Sequence, residues 1–320
     1  MDPALPILLR DALDSLMQGQ SGQDLAARAE AISRHYRVGG GSAETIRTEA
    51  DALAYALTRM PATYAATVAA LSELAERAPG LSPTSVVDLG CGPGTASWAA
   101  LSVCPDIETL HLIDRNLVLF DLASRLLAST DRRIEPQIAD MVGAAIPAAD
   151  LIIAAYALTE LPLASAVTVA ERAWAATAGA LVIVEPGTPN GWERLMAIRS
   201  RLLGLGAAIA APCPHAMACP VTATDWCHFS QRLPRLRAHR QIKGADAPYE
   251  DEKFAYLVMV RRDVALEPAR PRVLAPPLED KIGVTLKLCR PDGGLERRHI
   301  AKRDKEGFRA VRRIGWGDTL

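Results

Sequence analysis

Ser85-Val86-Val87-Asp88-Leu89-Gly90-Cys91-Gly92-Pro93-Gly94-Thr95 is the stretch on which the fold turns. Its first five residues are mostly apolar and β-branched and predict a strand. From Thr95 to Val103 the residues suit a helix. Between them lie three glycines spaced G-x-G-x-G, one residue tighter than the dinucleotide fingerprint. In open α/β sheets ligands bind beyond the carboxyl ends of the strands. Glycine at such a turn lets a ligand reach the backbone without meeting a Cβ. Asp88, two residues before the first glycine, would repel a pyrophosphate and suits a ligand carrying a cationic amino group.

Beyond this turn, strand-like and helix-like stretches alternate. Leu110 to Asp114 predicts a second strand and Leu117 to Ala128 a helix. Ile134 to Ala139 and Leu151 to Tyr156 predict further strands, and a helix follows over Ala164 to Ala176. Ala180 to Glu185 predicts a fifth strand, with a helix from Gly191 to Leu203. That alternation implies a doubly wound α/β fold with a parallel sheet covered on both faces.

Residues 1–80 read as helical. Ala50, Leu53, Ala54 and Leu57 form an amphipathic stripe, with Ser42 as candidate N-cap and Pro61 as a stop or kink before a second helix over Thr67 to Arg77. After Ala211 the rhythm breaks into a Cys-, His-, Pro- and Arg-rich tract, followed by strand-like runs at Phe254 to Val260, Val284 to Leu288 and His299 to Ala301. Three segments are expected: helical residues 1–80, a cofactor-binding Rossmann-like domain at 81–210, and a Cys-rich loop with a small basic β-rich subdomain at 211–320.

The 320 residues are 49% hydrophobic and 23% charged, with a formal net charge of −1, which excludes wholesale disorder and a polycationic chain. The charge is divided unevenly. Residues 228–320 hold 21 Lys and Arg against 13 Asp and Glu, whereas residues 1–227 hold 15 against 24. This suits a polyanionic partner for the last quarter, and charge alone suits a solvated surface equally well. No apolar run approaches the roughly 20 residues of a membrane span. The first residues show neither a signal-peptide nor a transit-peptide pattern, so a cytoplasmic, bacterial protein with no membrane partner is expected.

In a reducing compartment cysteines serve as metal ligands or packed thiols. Cys213, Cys219 and Cys227 lie within fifteen residues, and Cys289 ends a later strand candidate. Zinc knuckles place two to four residues between paired ligands. The gaps here are five and seven, which fits a bulkier iron–sulfur cluster better. His215 and His228 keep zinc open. Cys91 and Cys104 are expected to be inert packed thiols.

The glycine string resembles the first motif of class I S-adenosylmethionine-dependent methyltransferases. The resemblance implies that Gly90, Gly92 and Gly94 line the methionine side of the cofactor and that Asp88 supports the loop. It puts Asp114 on the ribose hydroxyls and Asp140 near the adenine. An acceptor motif is missing. Ala154-Ala155-Tyr156-Ala157-Leu158 stands where base methylases carry Asn/Asp-Pro-Pro-aromatic, and Cys104 lies away from the site mouth. Tyr156 and Glu160 face the right region, with a structural role favoured for each. Turnover is therefore left open, while cofactor binding is expected.

Taken together, the glycine loop and the cysteine tract resemble the mitochondrial small-ribosomal-subunit assembly, methyltransferase-like family, which also has bacterial members. The further residues that carry this are Ala52 to Tyr64, Cys213-Pro214-His215, Cys219-Pro220, Trp226-Cys227-His228-Phe229, Lys243-Gly244, Tyr249-Glu250-Asp251-Glu252-Lys253-Phe254 and Gly315-Trp316-Gly317-Asp318. The resemblance implies a structural [4Fe–4S] cluster on Cys213, Cys219, Cys227 and Cys289. It also implies a monomer that joins the small ribosomal subunit and its 16S-type rRNA during assembly. Arg232, Arg235, Arg237, Arg240 and Lys243 are then the expected RNA contacts, with a second basic group from Lys302 to Arg313. The alternatives are an active methyltransferase on rRNA or a ribosomal protein, and zinc in place of the cluster.

Overall fold

The computed structural model describes residues 2–37, 41–222, 224–235, 240, 242 and 247–320. Two short helices, α1 (Ile7–Met17) and α2 (Gly22–Arg37), and one turn of helix, α3 (Ser42–Thr45), lead into the long α4 (Glu49–Arg77). The N-cap of α4 is Thr48, not Ser42. Its hydroxyl accepts from the Asp51 N–H while the Asp51 carboxylate accepts from the Thr48 N–H. Pro61 neither ends α4 nor divides it. The helix runs through, because Leu57, Met60, Tyr64 and Leu71 are all buried, and this packing outweighs a proline cost of about 3 kcal/mol.

The α/β rhythm follows as expected: β1 (Ser85–Leu89), α5 (Thr95–Val103), β2 (Thr109–Asp114), α6 (Leu117–Leu127), β3 (Arg133–Ile138), β4 (Ala149–Ala155), α7 (Leu163–Ala176), β5 (Thr177–Pro186), α8 (Pro189–Gly204) and β6 (Ala208–Ala211). β7 (Phe229–Pro234) and β8 (Tyr249–Val260) complete the sheet, whose order is β3-β2-β1-β4-β5-β8-β6 with β7 paired to β8. β1 to β5 are mutually parallel, while β8 runs antiparallel to β5 and β6. A parallel half reversed by one inserted antiparallel strand is the class I methyltransferase form of the Rossmann-like fold. The sheet also crosses the boundary expected at residue 210, because β8 comes from the C-terminal segment. One face packs on α4, α5 and α6 through Leu71, Trp98, Leu110 and Val182, and the other on α7 and α8 through Ile152, Val169, Leu181 and Ile198.

A second sheet comprises β9 (Arg272–Val273), β10 (Leu278–Glu279), β11 (Gly283–Cys289) and β12 (Leu295–Ala301). Helix α9 (Lys305–Val311) closes it over a core of Val273, Val284, Leu286, Leu288, Ile300 and Val311. Arg272 ties it to the main body. Its guanidinium is buried, grips both oxygens of Glu73 on α4 at 2.6 Å and donates to the carbonyls of Pro212 and Gly317. No described helix is long and apolar enough to cross a membrane.

Candidate functional site

At the carboxyl end of β1 the chain turns through Gly90, Gly92 and Gly94, with φ of 73°, 51° and 79°. Gly90 has no room for a side chain: an added Cβ would lie 2.5 Å from the Ala157 methyl. At Gly92 nothing lies within 4 Å of that position, so the open space of the cleft begins there. The loop is held from below. The N–H groups of Gly90 and Cys91 donate to the Ile113 carbonyl at 2.8 and 3.1 Å. Asp88 is buried and accepts from the Ser97 N–H and hydroxyl at 2.9 and 2.7 Å, locking α5 onto β1. Burial pushes its pKa up to about 6, against the lowering effect of those bonds. Asp88 thus ties the start of α5 to the end of β1 across the loop.

Asp114 ends β2 and binds the loop as well as facing the cleft. One oxygen accepts from the Gly92 N–H at 2.7 Å and the other from the Asn116 N–H at 2.8 Å. Burial raises its pKa, against these bonds and Arg115. Asp140, half-exposed beyond β3, pairs with Arg115 at 3.1 Å. All three acids and Gly90 and Gly92 line one cleft of about 770 Å³, whereas Gly94 sits behind it against Leu127 and Ala123.

The opposite wall comes from residues whose role sequence reasoning missed. Tyr36, Ser42 and Tyr55 of the N-terminal helices line the cleft. Glu160, on the turn after β4, gathers them: its carboxylate accepts from Tyr36 Oη at 3.3 Å, the Ser42 N–H at 3.1 Å and Ser42 Oγ at 3.2 Å. Tyr156 has φ of 56°, left-handed for a bulky residue. Its hydroxyl donates to Glu252 Oε1 at 2.8 Å, an oxygen that Arg59 also reaches at 3.3 Å. Beyond Tyr156 the cleft opens into a groove lined by Tyr55, Arg59, Thr63 and Arg235. Beneath the same turn Glu185 is fully buried. Neither of its oxygens has a hydrogen-bond partner among the described residues, and Arg194 stands 3.8 Å away. Burial pushes its pKa up to about 8.

The four cysteines come together as well. Cys213, Cys219, Cys227 and Cys289 line one largely apolar cavity between α8, β8 and the second sheet. Burial, then the neighbouring thiols, pushes the Cys227 pKa well up and that of Cys289 to about 12. Of the two histidines, His215 joins the cavity, with Nε2 3.4 Å from Cys289 Sγ. His228 instead stacks on Trp226 and meets Trp316 edge-on. Among the described residues no three His, Cys, Asp or Glu side chains are set to hold a single metal ion. Trp192 Nε1 and His215 Nδ1 are buried there without hydrogen-bond partners among the described residues, while Arg199 nearby donates from Nη2 to the carbonyls of His215 and Met217. Cys91 and Cys104 lie outside this cavity, Cys91 in the wall of the glycine cleft.

The expected RNA contacts fare differently. Arg232 donates from Nε and Nη2 to the two oxygens of Asp251, at 2.8 and 3.0 Å, and lies over the Tyr249 ring. Arg235 is largely buried and bonds Glu250 at 3.2 Å. Arg240 is exposed, and Arg237 and Lys243 lie outside the described residues.

A family model described as mitochondrial small ribosomal subunit Rsm22 matches residues 49–320, which include the glycine loop and all four cysteines of the cavity. The human mitochondrial ribosome assembly protein METTL17 is 29% identical over 85% of this chain and 63% of its own. The fission yeast mitochondrial Rsm22-cox11 tandem protein 2 is 26% identical over 87% of this chain and 44% of its own. The chain therefore spans less than two thirds of these relatives. Among solved structures, magnesium protoporphyrin IX methyltransferase from Synechocystis is 13% identical at a TM-score of 0.44, covering 72% of this chain and 91% of that one. Human N-acetylserotonin methyltransferase is 14% identical at 0.42, covering 78% and 70%.

Proposed function

The chain belongs to the family described as mitochondrial small ribosomal subunit Rsm22, and we propose that it is a small-subunit assembly factor that binds S-adenosylmethionine, rRNA and a structural [4Fe–4S] cluster. The observation that carries this reading is one family match running through both the glycine cleft and the four-cysteine cavity.

For S-adenosylmethionine, the fit lies in the open face at Gly92 and the acids around it. Gly90 and Gly92 would admit the methionine end, Asp114 would accept from the ribose hydroxyls and Asp140 would stand by the adenine. The bound cofactor supplies an electrophilic methyl group. This chain's residues orient it: Asp88 and Asp114 hold the loop, and Glu160 holds the N-terminal helices as the far wall. Beside the cleft the Tyr156 hydroxyl is engaged by Glu252, and the Glu160 carboxylate by Tyr36 and Ser42. Assembly is therefore proposed as the primary role, with methyl transfer as the competing outcome of the test below.

For the cluster, the fit is chemical. Four thiols line one cavity, and the buried N–H of Trp192, without a partner among the described residues, would find an acceptor in cluster sulfur. A cluster held there would supply iron–thiolate bonds that join β11 to the loop carrying Cys213, Cys219 and Cys227.

The test combines anaerobically purified protein, S-adenosylmethionine labelled in its methyl group and small-subunit particles from cells lacking the protein. Co-sedimentation of protein with particles and no covalent label is the expected result. Label on RNA or protein that disappears with Asp114→Ala would establish the methyltransferase instead. Absence from the particles would overturn the assembly role. Four irons and four sulfides per chain are expected, and stoichiometric zinc would remove the cluster.

A further inference from the structure

The carboxylates of the second sheet are engaged locally, apart from Glu306, exposed in the first turn of α9. Glu279 pairs with Lys302 at 3.0 Å and Glu296 with Arg298 at 2.8 Å. Asp304 caps α9 by accepting from the Gly307 N–H, and Asp318 accepts from the Gly315 N–H. Arg303, Lys305, Arg309, Arg312 and Arg313 are all exposed, and none has an ion-pair partner among the described residues. Lys305, Arg309 and Arg312 recur at i, i+4 and i+7, so they share one side of α9. Phe308 and Val311 turn the other side into the core.

Resting on the RNA-binding reading above, we propose that this outer arc of α9, and not the arginines of β7, is the surface that grips rRNA. Arg232 and Arg235 are already neutralised by Asp251 and Glu250, so a phosphate would meet a carboxylate beside each. The five tail cations are free to meet one. Four are arginines, whose planar fork matches phosphate oxygens in pairs. The arc's one apolar residue is Ala310, so it offers no wedge for a lipid surface. A convex, rigid, cationic helix on a small sheet suits an RNA backbone read by shape.

The experiment measures binding of the full chain to a folded small-subunit rRNA fragment across a salt series. The variants are Arg309→Glu/Arg312→Glu/Arg313→Glu and Arg232→Glu, each checked for an unchanged unfolding midpoint. The triple variant is expected to lose at least roughly 100-fold in affinity near 0.1 M salt, and its slope of log affinity against log salt should flatten by roughly 2. Arg232→Glu should stay within about threefold of wild type on the same phosphate-contact reasoning. Should the triple variant unfold, the corresponding Gln substitutions replace it, with a smaller loss in the same direction. A triple variant that binds like wild type overturns the assignment to α9. Wild-type protein that binds no RNA overturns the RNA reading itself. Binding to anionic phosphatidylserine vesicles in place of RNA, lost in the triple variant, would hand the arc to a membrane.

Discussion

The glycine cleft and the cysteine cavity lie in one molecule but differ in what holds them open. In the cleft the chain satisfies itself: Gly90 and Cys91 donate to Ile113, Gly92 to Asp114, and Ser97 to Asp88. The cavity is short of partners. Its thiols sit together in apolar surroundings, and Trp192 Nε1 and His215 Nδ1 lie buried without a hydrogen-bond partner among the described residues. A site whose polar groups are already paired is formed before its guest arrives. One with orphaned donors is completed by its guest. The cleft should therefore be a binding device, and the cavity part of the fold.

The largest test of that contrast is Cys227→Ser. It should cost more than about 3 kcal/mol, with the second sheet exposed to limited proteolysis before the main sheet. Loss of no more stability than a surface change would break the contrast. Emptying the cleft should do far less, since a ligand adds only its mass-action term.

Glu185 is the exception on the cleft's own side, buried without a hydrogen-bond partner. Its folded pKa is raised from 4.5 to about 8 by burial. Its contribution is fully present below its unfolded value and lost as pH rises through about 8. Glu185→Gln should flatten the stability profile across that window and stabilise the protein by roughly 2–4 kcal/mol at its alkaline end. An unchanged pH profile in denaturant titrations would mean that Arg194 compensates the charge completely.

Asp114→Ala should reduce S-adenosylmethionine affinity by about 100-fold and cost roughly 1–3 kcal/mol, because it frees the N–H groups of Gly92 and Asn116. Calorimetry on the same sample separates the two effects. Smallest is Tyr156→Phe, which removes the bond to Glu252 and should cost about 1 kcal/mol without altering cofactor affinity. A fall in affinity would make Tyr156 part of the cofactor site.

Much of this was legible in the residues. The glycine spacing marked the loop, the strand ends placed Asp114 and Asp140, and the shared tract grouped three of the four thiols. What escaped was set by distance along the chain. Tyr36 and Ser42 meet Glu160 across more than a hundred residues, so no local pattern marks them as a cleft wall. Arg232 read as a free cation because its partner Asp251 becomes its neighbour only in the register of β7 on β8. Pro61 read as a helix stop because propensity is local, while the packing that overrides it is not. The Tyr249-to-Phe254 string stood out as a signature without a role. It supplies Glu250 to Arg235, Asp251 to Arg232, Glu252 to Tyr156 and Lys253 to the Trp316 ring.

The placement of β8 has a consequence for the chain as it leaves the ribosome that makes it. β5 and β6 are complete by residue 211, yet the strand that fills the gap between them ends at Val260. For some fifty residues of synthesis a half-built sheet presents the bare edge of β5, whose residues Leu181 to Val184 are wholly apolar. At a few residues per second that interval lasts several seconds, ample time for a chaperone or a second nascent chain to occupy the edge. Stalling or truncation between residues 211 and 248 should therefore yield aggregates, whereas release after residue 260 should yield a closed main sheet.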